Sequence, residues 1–328
     1  MVSPSPQRSL LVLFLLCWIC LAVASPSSAF PLAQRESEQT EDSVSRGHLL
    51  IACGLPGDEE HRDRYVEVID RLTSALTSNW GFDEELTQVL FGSDEMVDDG
   101  HPVPTALYRP CTRESLLTAV RHLRRNLKPE DRVWIVFIGH GFFDGERATF
   151  NIAGPDPTSE DLGAMLSGIA CRECVVWMTT SYSGCFLQDL AASDRIVVTA
   201  THPDREINST YFPDAFAQAV AHPTDPSQLD GDHDGQLSLL DLYLDICRRV
   251  GEQYEISETG ITEHARLDDH GDGVGAEVQL PYLLPKHDGR LRPGESPPVI
   301  KDGMPGAIAA GIPLSLKPQG SSSSDAEP

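Results

Sequence analysis

The chain has 328 residues, a length that suits one large domain or two modest ones. With 40% apolar and 23% charged residues, its composition is that of a globular protein and excludes wholesale disorder. The formal net charge of −25 repels phosphate backbones, which argues against nucleic-acid binding. The same acidic excess favours solubility and the binding of divalent cations.

The N-terminus has the pattern of a secretory signal peptide. Arg8 precedes an apolar run over residues 10–24, which ends in a small-x-small cleavage site at Ala22–Ala24. We expect residues 1–24 to be removed and the mature protein to be secreted or periplasmic, with no membrane span. The alternative is that this segment stays attached as an uncleaved anchor.

The predicted elements begin after a polar, flexible linker over residues 25–46. From residue 47 to 256, short apolar or β-branched runs, typical of buried parallel strands, alternate with amphipathic stretches at helical spacing. The predicted strands are His48–Cys53, Thr87–Phe91, Val133–Ile138, a small extra one at Ala148–Ile152, Cys174–Thr180 and Arg195–Ala200. The predicted helices lie near residues 65–76, 116–127 (with Thr112 as N-cap), 161–169, 211–222 and 239–250.

This alternation predicts an α/β domain with a mostly parallel sheet, helices on both faces and right-handed crossovers. The remaining residues, 281–328, are rich in Pro, Gly and Ser and predict a loose tail. Within the tail, the apolar stretch over 304–316 is broken by Pro and Gly, and it could dock on the body instead of forming a regular element.

Eight cysteines are present, and Cys17 and Cys20 fall within the signal peptide. The others could pair in an oxidising compartment, but the sequence cannot choose among the pairings. Cys171 and Cys174 form a CxxC motif with no second pair of ligands at workable spacing, so we expect buried thiols or a disulfide there and not zinc.

Two predicted strands end in residue types that carry chemistry. One leads into Gly139-His140-Gly141 and the other into Ser181. Sites in open α/β sheets form beyond the carboxyl ends of the strands, where a hydroxyl can meet a base from the neighbouring strand. His140 and Ser181 therefore form a candidate base–nucleophile pair. A histidine or serine alone is more often structural, so the hypothesis rests on the pair.

The strand–Gly-His-Gly stretch and the Thr179–Gly184 turn after the later strand together resemble the caspase–legumain clan (clan CD) of cysteine peptidases. The peptidase C13-type, legumain-like branch is the closer likeness, and within it legumain-like bacterial proteins with serine in place of the cysteine. Asn151–Asp156 and Thr262–Asp269 add to that likeness. It implies a caspase–haemoglobinase-like fold over residues 47–280, His140 at the histidine position and Ser181 at the cysteine position.

The serine is a departure with a chemical consequence. A thiol is partly ionised near neutral pH, whereas a serine hydroxyl needs a strong, well-oriented base. The resemblance therefore implies either a catalytically impaired or silent peptidase homologue that binds a peptide or protein, or an active endopeptidase. In the active form His140 is the base and Ser181, or Cys185 one turn later, is the nucleophile, with Gly141 near the oxyanion. A third reading, an α/β-hydrolase-type esterase, conflicts with Thr179 and with a histidine that precedes the serine.

Residues 230–241 match the template of an EF-hand calcium loop. The carboxylates of Asp230, Asp232, Asp234 and Asp241 stand at loop positions 1, 3, 5 and 12, with Gly235 at the sharp turn. Gln236 would contribute its carbonyl and Ser238 fills position 9. Hard oxygen ligands select Ca²⁺, although aspartate at position 12 makes bidentate reach doubtful. The alternative is an acidic turn that caps a helix.

A shorter match follows at residues 268–273, where Asp268 and Asp272 stand at positions 1 and 5. It lacks an acid at position 12, so it is a weaker candidate for a second Ca²⁺ site.

Overall fold

The structure, a computed structural model, describes residues 45–93, 108–203, 206–221, 229–232, 234–283 and 303–316. The predicted signal peptide and nearly all of the predicted linker lie outside these residues. The same holds for residues 284–302 and 317–328 of the predicted tail.

A seven-stranded sheet forms the centre of the molecule, in the order β3-β2-β1-β4-β7-β8-β9. All neighbouring strands are parallel except β8 and β9, which are antiparallel. A separate two-stranded hairpin pairs β5 with β6. The strands are β1 (Gly47–Cys53), β2 (Phe82–Phe91), β3 (Tyr108–Arg109), β4 (Arg132–Ile138), β5 (Gly141–Phe143), β6 (Ala148–Phe150), β7 (Glu173–Met178), β8 (Ile196–Thr199) and β9 (Arg266–Asp268).

Helices cover both faces of this sheet, as predicted. The helices described are α1 (Glu59–Asn79), α2 (Arg113–Asn126), α3 (Ser159–Leu166), α4 (Leu187–Leu190), α5 (Phe212–Ala221), α6 (Leu239–Ile256), α7 (Leu280–Leu283) and α8 (Ala307–Ala310). Side chains of α1, α5 and α6 join one apolar cluster, and those of α2, α3 and α4 join another. Alternate residues of β1 face the two clusters, so Leu49 and Leu50 lie on opposite sides.

The predicted buried strands are confirmed, with small shifts at their ends, and Thr112 caps α2 by accepting a hydrogen bond from Ser115 N. Strand β2 begins at Phe82, five residues before the predicted start, which the sequence misses because the first half of β2 holds three consecutive acidic residues and no continuous apolar run. The three-residue strands β5 and β9 were not predicted. Such short segments carry too little periodicity, and β9 begins and ends with a charged residue.

Residues 303–316, which we call the C-terminal strap, dock on the body, as the sequence allowed for residues 304–316, and they include the short helix α8, a regular element that was not expected there. Asp269 accepts hydrogen bonds from the backbone N–H groups of Gly306, Ile308 and Ala309 at 2.8–3.1 Å. Leu314 is buried in the core and its N–H donates to the carbonyl of Leu237 at 2.8 Å. The strap is ordered because burying its apolar side chains and hydrogen bonding its backbone groups offset the conformational entropy that it loses.

No helix in the described ranges combines the length and the hydropathy needed to cross a membrane.

Candidate functional site

The ends of β4 and β7 lie side by side, which brings His140 and Ser181 to the same edge of the sheet. The two strands are parallel neighbours with Phe137 opposite Met178. Beyond the ladder, Thr179 N and Thr179 Oγ1 both donate to the Phe137 carbonyl, at 3.0 and 2.6 Å. The turns that carry the predicted base and nucleophile are thus joined through one carbonyl oxygen.

The imidazole of His140 is oriented by a main-chain carbonyl. Its Nε2 lies 2.9 Å from the carbonyl oxygen of Pro56, in the loop between β1 and α1. A carbonyl only accepts hydrogen bonds, so Nε2 carries the proton and Nδ1 is the basic atom of the neutral ring. The ring of His61 packs edge-on against His140, with centroids 5.2 Å apart, and Asp58 holds His61 through Nδ1 at 2.8 Å.

The hydroxyl of Ser181 is hydrogen bonded to the backbone of Gly141. Gly141 N donates to Ser181 Oγ at 3.2 Å, and Ser181 Oγ donates to the Gly141 carbonyl at 3.1 Å. The side chain is buried, with 3% of its surface exposed. The geometry therefore brings the predicted pair to one edge without a hydrogen bond between the imidazole and the hydroxyl.

Glycines make the close approach of these two turns possible. Gly139 has φ +127, a conformation that L-residues with a side chain rarely adopt. A Cβ atom on Gly141 would lie 2.3 Å from the carbonyl oxygen of Ser181. Tyr182 is one of two non-glycine residues at positive φ among the described residues, at +54, so the strained residue of the second turn follows Ser181.

Cys185, the alternative nucleophile, lies in the short 3₁₀ turn after Ser181. Its thiol donates to the carbonyl of Pro203 at 3.3 Å, in the loop that follows β8. The thiol is half-buried and packs against the apolar cluster of α2, α3 and α4. This environment is that of a packed side chain next to the candidate site.

The sequence reasoning missed a glutamate–histidine pair beside the Ser181 turn. The carboxylate of Glu206 pairs with His264 Nδ1 and accepts hydrogen bonds from His264 N and His202 N, at 3.0 and 2.6 Å. The main-chain carbonyl of Glu206 accepts from Tyr182 N at 3.0 Å. No sequence signal identifies this pair, because 58 positions separate its members.

A second missed residue is Glu263, next to His264. Its carboxylate accepts hydrogen bonds from the N–H groups of Tyr211 and Phe212, both at 2.8 Å, at the start of α5. Burial raises the pKa of Glu263 to about 8, and the two N–H donors oppose this shift.

The predicted calcium loop gathers three carboxylates. One oxygen each of Asp230, Asp232 and Asp234 lies within 4.8 Å of the others. Burial, first, and the neighbouring acids, second, raise the pKa of Asp232 to about 6. Gly235 has φ +86, which the sharp turn requires. These donors and this turn fit a hard divalent cation.

The other predicted ligands serve the start of α6. Ser238 is the N-cap, and its hydroxyl donates to Asp241 Oδ2 at 2.7 Å and accepts from Asp241 N. The second oxygen of Asp241 accepts from Gly231 N at 2.8 Å, which ties the helix to the beginning of the loop. Gln236 is exposed and its N–H donates to Asp234. The sequence left open whether this loop caps a helix, and the structure shows that Ser238 and Asp241 cap α6. The same loop also carries the three clustered carboxylates.

The weaker candidate loop has a different arrangement. The carboxylate of Asp268 accepts hydrogen bonds from the N–H groups of His270, Gly271 and Gly273 at 2.7–3.1 Å. The carboxylate of Asp272 accepts one from the N–H group of Val274. Among the described residues, the three acidic side chains that lie close enough together to hold a metal ion are Asp230, Asp232 and Asp234, and none of them belongs to this weaker loop.

Comparisons with known proteins identify structural likeness only. No family model matches the chain, and no curated protein matches it. Among solved structures, it is similar to the Drosophila initiator caspase Dronc (12% identity, TM-score 0.40), over 70% of this chain and 81% of that one. It is also similar to drICE (12% identity, TM-score 0.38), over 65% of this chain and 85% of that one.

Proposed function

We propose that this chain is a caspase-like, peptidase-related protein of impaired or silent catalysis, which binds a peptide or protein at the edge that carries His140 and Ser181. The observation that supports impairment is the double hydrogen bond between Ser181 and Gly141. It occupies the hydroxyl that would attack and the Gly141 N–H that would stabilise an oxyanion. A serine hydroxyl acts as a nucleophile only when a base takes its proton. The Ser181 hydroxyl instead donates to the main-chain carbonyl of Gly141.

The experiment is a comparison of the wild type with Ser181→Cys and Ser181→Ala. Each folded protein is incubated with a peptide library, and cleavage is followed by mass spectrometry. We expect no cleavage by the wild type or by Ser181→Ala, and a gain of cleavage or fast alkylation at position 181 in Ser181→Cys. Wild-type cleavage that Ser181→Ala abolishes would contradict the proposal.

Binding is tested separately from catalysis. The same library, free in solution, is passed over immobilised wild type and over Gly141→Ala, whose turn cannot keep its geometry. We expect retained peptides on the wild type alone. Equal retention on both proteins would contradict a binding role for this edge.

An active endopeptidase is the second candidate, and the contact between His140 and Pro56 favours it. In the neutral ring, a proton on Nε2 leaves the lone pair on Nδ1, and a general base accepts a proton through such a lone pair. In the cleavage assay this candidate predicts loss with Ser181→Ala and with His140→Ala. Loss with Cys185→Ala alone would instead assign the nucleophile to the thiol. An esterase of the α/β-hydrolase type has no such support, since the strained residue of the turn is Tyr182 and not the serine.

We also propose that residues 230–241 bind Ca²⁺. The three carboxylates that converge within 4.8 Å, and the left-handed Gly235 between them and the helix, support this assignment. A bound cation would neutralise the charge that these acids concentrate at the start of α6 and would hold the loop against the helix. We further propose that the protein is secreted or periplasmic, on the basis of the signal-peptide pattern.

A further inference from the structure

The hairpin of β5 and β6 has one covered edge and one open edge. The edge of β6 is covered, because Phe150 N donates to the carbonyl of Pro157 at 3.0 Å. Strand β5 has β6 as its only strand partner in the described part of the chain. Its other edge faces the turn that carries Ser181, because the Ser181 hydroxyl bonds there to the N–H and the C=O of Gly141.

The register of the hairpin determines which backbone groups of β5 face this open edge. Antiparallel partners alternate between pairs that exchange hydrogen bonds and pairs that do not. At one end of the hairpin, Asn151 N donates to the carbonyl of His140 at 3.0 Å. At the other end, Asp144 N donates to the carbonyl of Arg147 at 3.2 Å. Residues 140, 142 and 144 therefore turn their backbone groups toward β6.

Gly141 and Phe143, which lie between these residues, turn their N–H and C=O groups to the open edge. Both groups of Gly141 are hydrogen bonded to the Ser181 hydroxyl. The N–H and the C=O of Phe143 have no hydrogen-bond partner among the described residues. A strand edge with a free donor and a free acceptor is a template for an added strand.

The solvent-facing side of the same strand is aromatic and acidic. Phe142 is 57% exposed, and its ring packs edge-on against the ring of Tyr182, with centroids 6.4 Å apart. Asp144 is exposed and shares the face of Phe142, because alternate residues of a strand lie on one face. Hydrogen bonds from the N–H groups of Arg147 and Glu146 lower the pKa of Asp144, so its carboxylate stays charged.

We propose, in an inference that rests on the proposed function, that the peptide bound at this edge is extended and adds to β5 as a strand. An apolar side chain of the peptide lies against Phe142, and a basic side chain two residues away lies against Asp144. The peptide residue between these two exchanges backbone hydrogen bonds with Phe143.

The chemistry of the peptide follows from the groups that it meets. The exposed ring of Phe142 is covered best by an apolar or aromatic side chain. The carboxylate of Asp144 and the net charge of −25 favour a basic residue and oppose an acidic one. Gly141 lies two residues before Phe143, about 7 Å along the strand, so the same peptide reaches the Ser181 hydroxyl.

The test follows binding of fluorescein-labelled peptides to the full chain by fluorescence polarisation. One peptide has the core Thr-Phe-Thr-Lys-Thr, and a second has the core Thr-Lys-Thr-Phe-Thr, which allows for either direction of the added strand. We expect at least one of them to bind. Exchange of its lysine for glutamate should weaken binding about tenfold, because the new charge faces Asp144.

Backbone pairing is tested on the peptide itself. The threonine between phenylalanine and lysine is the residue that pairs with Phe143. An N-methyl group on it removes the donor and blocks the approach, and we expect the affinity to fall about tenfold or more. An N-methyl group on the neighbouring phenylalanine or lysine points away from β5 and should leave the affinity nearly unchanged.

The aromatic contact is tested on the protein. Phe142→Ala should weaken binding about two- to tenfold, because it removes the exposed ring and leaves the strand in place. The matched control is Ile256→Ala, which removes a side chain with 75% exposure at the end of α6 and should bind as the wild type does.

The outcomes separate this inference from the proposed function. Equal binding to the wild type and to Phe142→Ala, or tolerance of the N-methyl group on the central threonine, would overturn strand addition at β5. So would a wild type that retains peptides from the library but binds neither of the two basic peptides. In each of these cases the proposed function would stand. A wild type that retains no peptide at all would contradict both.

Discussion

The α-carbon of Gly141 lies so close to the carbonyl oxygen of Ser181 that a methyl group has no room between them. A Cβ atom built on Gly141 would be 2.3 Å from that oxygen and 3.0 Å from Thr180 Oγ1. Backbone and a buried side chain both stand in the way, so neither can move aside cheaply. The close approach of the turns that carry His140 and Ser181 therefore depends on the missing side chain of Gly141.

Gly141→Ala should destabilise the protein by about 2–4 kcal/mol, because the methyl group must push two main-chain segments apart. Denaturant unfolding followed by circular dichroism measures this loss. The matched control is Gly251→Ala in α6, where a Cβ atom meets nothing within 4 Å. There we expect unchanged or increased stability, by up to about 1 kcal/mol, from the better helix propensity of alanine. Equal effects of the two substitutions would contradict the steric argument.

Asp269→Ala should release the C-terminal strap from the body. The substitution removes the acceptor of three backbone N–H groups, and we expect a loss of about 1–3 kcal/mol. Hydrogen exchange of the Ile308 and Ala309 amides measures it directly, as faster exchange in the variant. Asp272→Ala, in the same loop, removes an acceptor that does not contact the strap. Its strap amides should exchange as in the wild type, and equal acceleration in both variants would count against the role of Asp269.

Glu263 should make stability fall as pH rises. The pKa of its carboxyl is about 8 in the folded protein, against 4.5 in its ordinary environment, so the folded state binds more protons between these values. The contribution of Glu263 is therefore present below about pH 4.5 and is lost progressively as pH rises through about 8. Glu263→Gln should remove this part of the slope, whatever its effect on absolute stability.

The measurement for Glu263 is the free energy of unfolding as a function of pH. Glu255→Gln, at an exposed position of α6, is the control and should keep the wild-type slope. A wild-type slope in Glu263→Gln would show that Glu263 does not carry the proton.

Calcium should stabilise the protein through the 230–241 loop. At a free concentration a hundred times the dissociation constant, binding to the folded state alone adds about 2.7 kcal/mol. Thermal unfolding with calcium and with a chelator measures the shift in Tm. Asp232→Asn should lose most of this shift, whereas Asp272→Asn in the weaker loop should retain it. A calcium response that persists in Asp232→Asn would refute the assignment.

The elements that the sequence predicts well are those whose pattern is local. Strand β4 is a continuous apolar run and both of its faces are buried, so composition alone identifies it. The adjacency of His140 and Ser181 then follows from the ordering of parallel strands. The antiparallel edge strand β9 is not predicted, because three residues are too few to show the alternation of polar and apolar residues that marks a strand.

The parts of the site that escape prediction are contacts between distant positions. The carbonyl of Pro56, which orients His140, is a main-chain group and leaves no signature in the side-chain sequence. Glu206 and His264 belong to two loops that only the packing of β8 against β9 brings together. The direction of the Ser181 hydroxyl is likewise set by local backbone geometry and not by residue type.

The C-terminal strap also sets an order of events during synthesis. Ala309 and Leu314 belong to the same apolar cluster as Leu49 of β1, the first strand in the described part of the chain. A nascent chain that has released β1 through β9 still lacks the residues that close this cluster. Because the strap is translated after all of these strands, the native state becomes complete only when residue 314 has left the ribosome. Until then, the apolar side chains that the strap covers in the native state lack this cover.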